Sequence, residues 1–172
     1  MTAVTARILA AAAAAALPAA LLTAQPAAAS ARTRTAYVTF YGWPDNTPPD
    51  SAAIAYPRKD GFPAVHNHAN KHGERGTWWA PLTLATSPRE IPVGTRVYIP
   101  YLRKYGVMED QCAECVRQWN RSRRWHVDVW VGGKGIAKRR VLAREDALTR
   151  SRARIIINPR RGLPVSRRKL IP

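Results

Sequence analysis

The sequence predicts a mostly-β domain of short strands closed into a small barrel or sandwich, and three observations carry that expectation. Apolar and polar residues alternate in short runs, each bounded by Gly, Pro, Asn or Asp turn signals. Those runs are dense in Val, Ile, Thr, Tyr, Phe and Trp, residues that fit a pleated, half-buried surface. Helical periodicity is weak throughout, which leaves packed strands to build the core.

Taken in order, the first strand is predicted over Ala36–Gly42 and stops at the glycine, before the turn-rich loop Trp43–Asp50. Ser51–Tyr56 reads as a short strand, and the chain on to Gly76 as an irregular polar loop holding His66, His68 and His72. Pro81–Thr86 and Gly94–Pro100 read as strands, separated by a loop that Pro88 and Pro92 mark. The stretch Val107–Gly133 organises the rest: a strand over Tyr105–Glu109, a polar loop, then a strongly alternating strand over Trp125–Val131. In that second strand Trp125, Val127, Val129 and Val131 share one face, and His126, Asp128 and Trp130 the other. Val141–Leu148 has the composition of one short helix. Arg154–Asn158 reads as a last buried strand, closed by Asn158-Pro159.

The ends and the charge bound the setting. Arg7, the alanine-rich run Ile8–Leu22 and the small residues Ala29-Ser30-Ala31 have the form of a secretory signal peptide over residues 1–31. Pro18 interrupts that run, which is short for a membrane span, so no transmembrane segment is expected. Residues 32–172 are then expected to form a single domain, exported and either extracellular or associated with the cell wall, and monomeric. The full chain carries a net charge of +17, and from Lys134 onward thirteen Lys or Arg face only Glu145 and Asp146. Charge this one-sided suits a polyanionic partner. Outside a cell that means wall polymers, acidic polysaccharides or an anionic membrane surface, rather than nucleic acid. No cofactor is expected.

Asp110, at the end of one strand, and Asp128, in the middle of the other, form the candidate catalytic pair if those strands are neighbours. Glycosidic cleavage needs a carboxylic acid to protonate the leaving oxygen, and often a second carboxylate. Partial burial among Val107, Met108 and Trp130 would raise the acid's pKa. The bland alternative is that either aspartate caps a loop or holds backbone. Tyr41, Trp43, Trp78, Trp79, Trp119 and Trp125 offer flat faces for sugar rings. Trp125 belongs with the valines of the core, which leaves Trp43 and Trp79 as the better stacking candidates. The histidines have H-x-H spacing without an identifiable third and fourth ligand, so no metal site is assigned. Cys112-x-x-Cys115 reads as a disulfide in an oxidising compartment. Zinc would need two more ligands, and a thioredoxin-like motif belongs at a helix start, where a loop is expected here.

Three ordered segments carry a resemblance: Thr39-Phe-Tyr-Gly42, then Leu82-Thr-Leu-Ala-Thr86 with Ile91-Pro-Val-Gly-Thr-Arg-Val-Tyr-Ile-Pro100, then Glu109-Asp110 with His126-Val-Asp-Val129. Together they resemble the double-psi β-barrel superfamily, which includes the rare-lipoprotein-A-like domains, the expansins and the 3D domain of lytic transglycosylases. The resemblance implies a six-stranded double-psi β-barrel with long loops and one short helix. It implies that Asp110 matches the acid of lytic members, and that Asp128 in His126-Val-Asp128 matches the expansin-like H-x-D aspartate. Asp45 is placed like the early acidic residue of expansins, and Tyr41, Trp43, Trp79 and His126 join it as substrate-binding candidates. The loop after Asp110 departs from the lytic and lipoprotein branches, holding Cys-Ala-Glu-Cys where they carry Gly-rich or Arg-Gly sequence. Expansin's second, carbohydrate-binding domain has no counterpart. The expected function is a secreted barrel binding cell-wall polysaccharide, peptidoglycan first, with lytic transglycosylase cleavage as its enzymatic form. The alternatives are a non-catalytic expansin-like module and a cationic effector acting on a protein or membrane.

Overall fold

The computed structural model describes residues 30–69 and 75–171. The expected signal peptide therefore falls outside the described residues except for its last two positions, and so does His72. Six strands close a barrel in the order β1-β5-β2-β4-β3-β6. They are β1 (Arg32–Tyr41), β2 (Leu82–Thr86), β3 (Arg96–Ile99), β4 (Lys104–Gln111), β5 (His126–Trp130) and β6 (Arg150–Ile157). Two helices, α1 (Ala113–Ser122) and α2 (Lys138–Leu148), and a 3-10 turn at Arg58–Asp60 complete the elements. The mostly-β barrel expected from the sequence is the fold observed. Among the described residues no helix is long and apolar enough to cross a membrane.

The alternation fixes which side chains enter the barrel. Val38 and Phe40 of β1, Leu82 and Leu84 of β2, Val97 and Ile99 of β3, Val127 and Val129 of β5, and Ile155 and Ile157 of β6 share one buried cluster with Met108 of β4. Gly106 on β4 is required by this packing, because a Cβ there would sit 2.5 Å from the Leu84 side chain. β1 runs parallel to β5, and β2 parallel to β4, while β2 and β5 are antiparallel. Each parallel pair joins strands that are not consecutive in the chain: β3 intervenes between β2 and β4, and three strands intervene between β1 and β5.

Three expectations are corrected. First, β4 and β5 are not neighbours: β2 lies between them, with Ala85 opposite both Asp110 and Asp128. Second, Ser51–Tyr56 is not a strand. Its backbone serves β4 singly, Tyr56 N–H donating to the Glu109 carbonyl at 3.1 Å and Ala55 N–H to Asp110 Oδ1 at 2.8 Å. Third, the segment after Cys112 is helix α1 rather than loop, so the Cys-x-x-Cys motif does open a helix. Cys112 is its N-cap and accepts from Cys115 N–H, and the helix turns Cys115 fully inward and Trp119 onto Trp125, with ring centroids 5.1 Å apart. The polar composition of Ala113–Ser122 hid that narrow inward stripe.

Beyond β6 the chain folds back along the barrel. Tyr98 donates to the Pro164 carbonyl at 2.6 Å, Tyr105 to that of Arg160 at 2.9 Å, and Lys104 Nζ to that of Ser166 at 2.9 Å. The basic C-terminus is thereby held against β3 and β4.

A carboxylate cluster on the outer face of the barrel

The outer face of β1, β5, β2 and β4 carries the candidate site. Thr39 and Tyr41 of β1 pair with Asp128 and Trp130 of β5, and Asp128 pairs with Ala85 of β2. On β4 the same parity that sends Met108 into the core would send Asp110 there too. A register shift between Leu84 and Ala85 inserts Glu109 as an extra residue, so Ala85 meets Asp110 and the carboxylate turns outward. Asp110 and Asp128 thus flank Ala85 on one face. Two strand spacings of about 4.8 Å place their Cα atoms roughly 10 Å apart.

Asp110 is fully engaged by hydrogen bonds. Its Oδ2 accepts from Tyr41 Oη at 2.7 Å, and its Oδ1 from the Ala55 and Gln111 amides at 2.8 Å each. Burial raises its pKa, and those three donors work against the rise. Tyr41 also meets Trp130 edge-on, with centroids 5.2 Å apart, in a second apolar cluster with Ala85, Cys112 and Cys115.

Asp128 is half-buried and accepts from the Thr39 hydroxyl at 2.7 Å. Removal from water pushes its pKa up to about 7, with the Asp45 and Asp110 charges adding and the Thr39 bond opposing. Thr39 Oγ1 also lies 2.8 Å from His126 Nε2, so His126, Thr39 and Asp128 form one chain. Burial, helped by Arg124, lowers His126 to about 4 and keeps it neutral. Its backbone N–H is held by Glu90 Oε1 at 2.7 Å, while Glu90 itself is raised to about 7, mainly by burial.

The sequence reading missed Glu145. It is 5% exposed on α2, and burial, then the Asp45 and Asp128 charges, raise its pKa to about 8. It lies close to Asp45, which is exposed and accepts from Gly42 N–H at 2.8 Å. Gly42 is the hinge of this arrangement: a Cβ there would stand 2.6 Å from the Gly132 carbonyl and 3.0 Å from Glu145 Oε1. The only sequence signal was a pair of acids, Glu145 and Asp146, in a short helix otherwise rich in arginine. Asp45, Asp110, Asp128 and Glu145 therefore form one electrostatically linked group.

The aromatic candidates divide. Trp43 packs against the second cluster with Lys134 Nζ 4.7 Å from its ring centroid. Trp79 is 70% exposed, and the Arg161 guanidinium lies 4.6 Å from its ring centroid, on the folded-back C-terminal segment rather than among the carboxylates. His66 Nδ1 lies 2.5 Å from Glu109 Oε1, and the fully buried Glu109 also accepts from Thr83 Oγ1 at 2.7 Å. That histidine ties the 58–69 loop to β4. The cysteines form the expected Cys112–Cys115 disulfide.

A family model described as the DDB_G0273701 N-terminal domain matches residues 33–171, from the start of β1 through the folded-back C-terminus. An uncharacterized protein of Dictyostelium discoideum, DDB_G0273701/DDB_G0273221, is 38% identical over 125 residues, which are 73% of this chain and 51% of that protein. The chain thus spans about half the length of that curated relative. No solved structure matches it. With the whole barrel inside the matched region, the chain belongs to the DDB_G0273701 N-terminal domain family.

Proposed function

We propose that this barrel, of double-psi kinship, is a secreted protein that binds cell-wall glycan, peptidoglycan first, and cleaves it by the lytic transglycosylase route. The observation that carries the proposal is the outer-face carboxylate cluster, in which Asp128 and Glu145 hold protons near neutral pH beside the exposed Asp45. Asp128 is the acid: it gives its proton to the glycosidic oxygen as that bond breaks. The sugar's own hydroxyl attacks the anomeric carbon in place of water, and its proton passes to the Asp45 carboxylate. Asp110 is the positioning group, holding Tyr41 and the Ala55 backbone at the edge of the site. His126 steadies Asp128 through Thr39. Cation-on-ring pairs such as Lys134 over Trp43 suit acidic sugars, which offer a ring to stack and a charge to meet.

A non-catalytic, expansin-like binding module is favoured by one separate observation. A cleft of about 320 Å³ is lined by Arg75, Lys104, Arg167, Arg168 and Lys169, and contains none of the four carboxylates. Such a cleft would retain a polyanion without any acid chemistry. Incubation with purified peptidoglycan and with cellulose, scoring pull-down and released sugar separately, decides between the two. Release from peptidoglycan supports the enzyme, and binding without release supports the module. Neither binding nor release would leave a cationic effector acting on a protein or membrane.

A further inference from the structure

The inner end of the Thr39–Asp128 chain points to a site of a different kind. Thr39 has a single hydroxyl proton, and it is donated to Asp128 Oδ1. Its oxygen therefore accepts from His126 Nε2–H, which leaves the lone pair of His126 on Nδ1. That Nδ1 is buried with no hydrogen-bond partner, on a residue only 3% exposed. Near the imidazole ring stand the two cysteines, 9% and 0% exposed, at the start of α1. The ligand atoms of Cys112, Cys115 and His126 all lie within 4.8 Å of one another.

We propose that reduction of the Cys112–Cys115 disulfide converts this cluster into a site for one zinc ion, held by two thiolates and His126 Nδ1, with the fourth position left to an exogenous ligand. The donor set is the borderline-soft nitrogen and sulfur mixture zinc prefers. Tetrahedral zinc sets its ligand atoms roughly 3.3–3.8 Å apart, a span the freed thiolates reach by small side-chain rotations. Behind Nε2, Thr39 and Asp128 fix the ring and its tautomer, as outer-sphere partners of metal-bound histidines do. A cellular dithiol supplies the two electrons and two protons that open the S–S bond, and leaves as its own disulfide. Zinc then displaces the two thiol protons, giving a neutral centre. The disulfide and the metal site are thus alternative states of the same residues, chosen by the redox setting.

The test uses the full chain, reduced with a phosphine, which takes up oxygen from water as phosphine oxide and does not compete for metal. Titration with Co²⁺ should produce tetrahedral ligand-field bands and a thiolate charge-transfer band that saturate at one equivalent, and Zn²⁺ should abolish them. Unreduced protein and the Cys112→Ser/Cys115→Ser variant should show no such bands. His126→Gln should weaken Co²⁺ binding by at least tenfold, and Thr39→Val by about 10–100-fold. Circular dichroism follows folding in parallel. A reduced chain that loses structure and recovers it on adding Zn²⁺ supports the site; one that stays unfolded with Zn²⁺ contradicts it. Reduced, folded protein without the bands, or equal affinity after His126→Gln, overturns the proposal.

Discussion

At the scale of single residues, the two aspartates paired as catalytic candidates have different surroundings. Asp110 accepts from the buried Tyr41 hydroxyl and from two part-buried backbone amides, so its removal takes a partner from all three. Asp110→Ala should therefore cost about 1–3 kcal/mol, chiefly for the stranded hydroxyl, read as a clear drop in melting temperature. Asp110→Asn keeps an oxygen for those amides and lets Tyr41 turn its hydroxyl, so thermal unfolding should shift by only a few degrees. Equal losses for both variants would remove the anchoring role. The sequence did mark Asp110 and Asp128 as candidates, because acids at a strand end and in an alternating strand stand out against an apolar pattern, whereas Asp45 was marked through the resemblance to expansins alone. Glu145 could not be seen that way. Its importance comes from Gly42, a position without a side chain, which lets α2 bring a carboxyl against the end of β1.

At the scale of elements, all six strands fall on runs the sequence marks as strands, two of them by alternation and the rest by β-branched, aromatic or continuous apolar composition. Strand order was not legible, since nothing in β4 or β5 says that β2 lies between them. The extra residue Glu109 was equally hidden, although that register shift turns Asp110 outward. Helix α1 escaped because its polar residues outnumber those it buries, a common result when an element depends on tertiary packing rather than propensity. The close approach of β1 and α2 gives the next prediction. Gly42→Ala would force its methyl against the Gly132 carbonyl, and overpacking of this kind typically costs about 1–3 kcal/mol. The melting temperature should fall, and Glu145 should lose its contact with Asp45. A variant as stable as the native chain would mean that the two elements are free to separate.

At the scale of the whole molecule, charge and titration set behaviour. Asp128, Glu90 and Glu145 have folded-state pKa values raised to about 7, 7 and 8, above those of the unfolded chain. Their contribution to stability is complete at low pH and is lost as pH rises through those values. His126, lowered to about 4, acts in the opposite sense only below its ordinary value near 6.5. Between pH 6.5 and 8.5 these acids lose their protons in the folded chain, so the melting temperature should fall across that window and level off above it. A flat or rising profile would contradict the buried, protonated cluster. The basic cleft predicts a second global property: retention on anionic wall polymers should drop as screening shortens from about 10 Å at 0.1 M salt to 3 Å at 1 M. Arg167→Ala/Arg168→Ala should reproduce part of that loss at low salt, and unchanged retention would rule out this cleft as the binding surface. The proposed enzyme is tested most directly by one pH-rate measurement of sugar release from purified peptidoglycan, on the native chain and on Asp128→Asn. Release by the native chain should decline above pH 7 as Asp128 loses its proton, and the amide variant, folded and still bound to glycan, should release sugar about 10²–10⁴-fold more slowly. Release by Asp128→Asn at the native rate, with the same pH profile, would contradict the assignment of Asp128 as the acid.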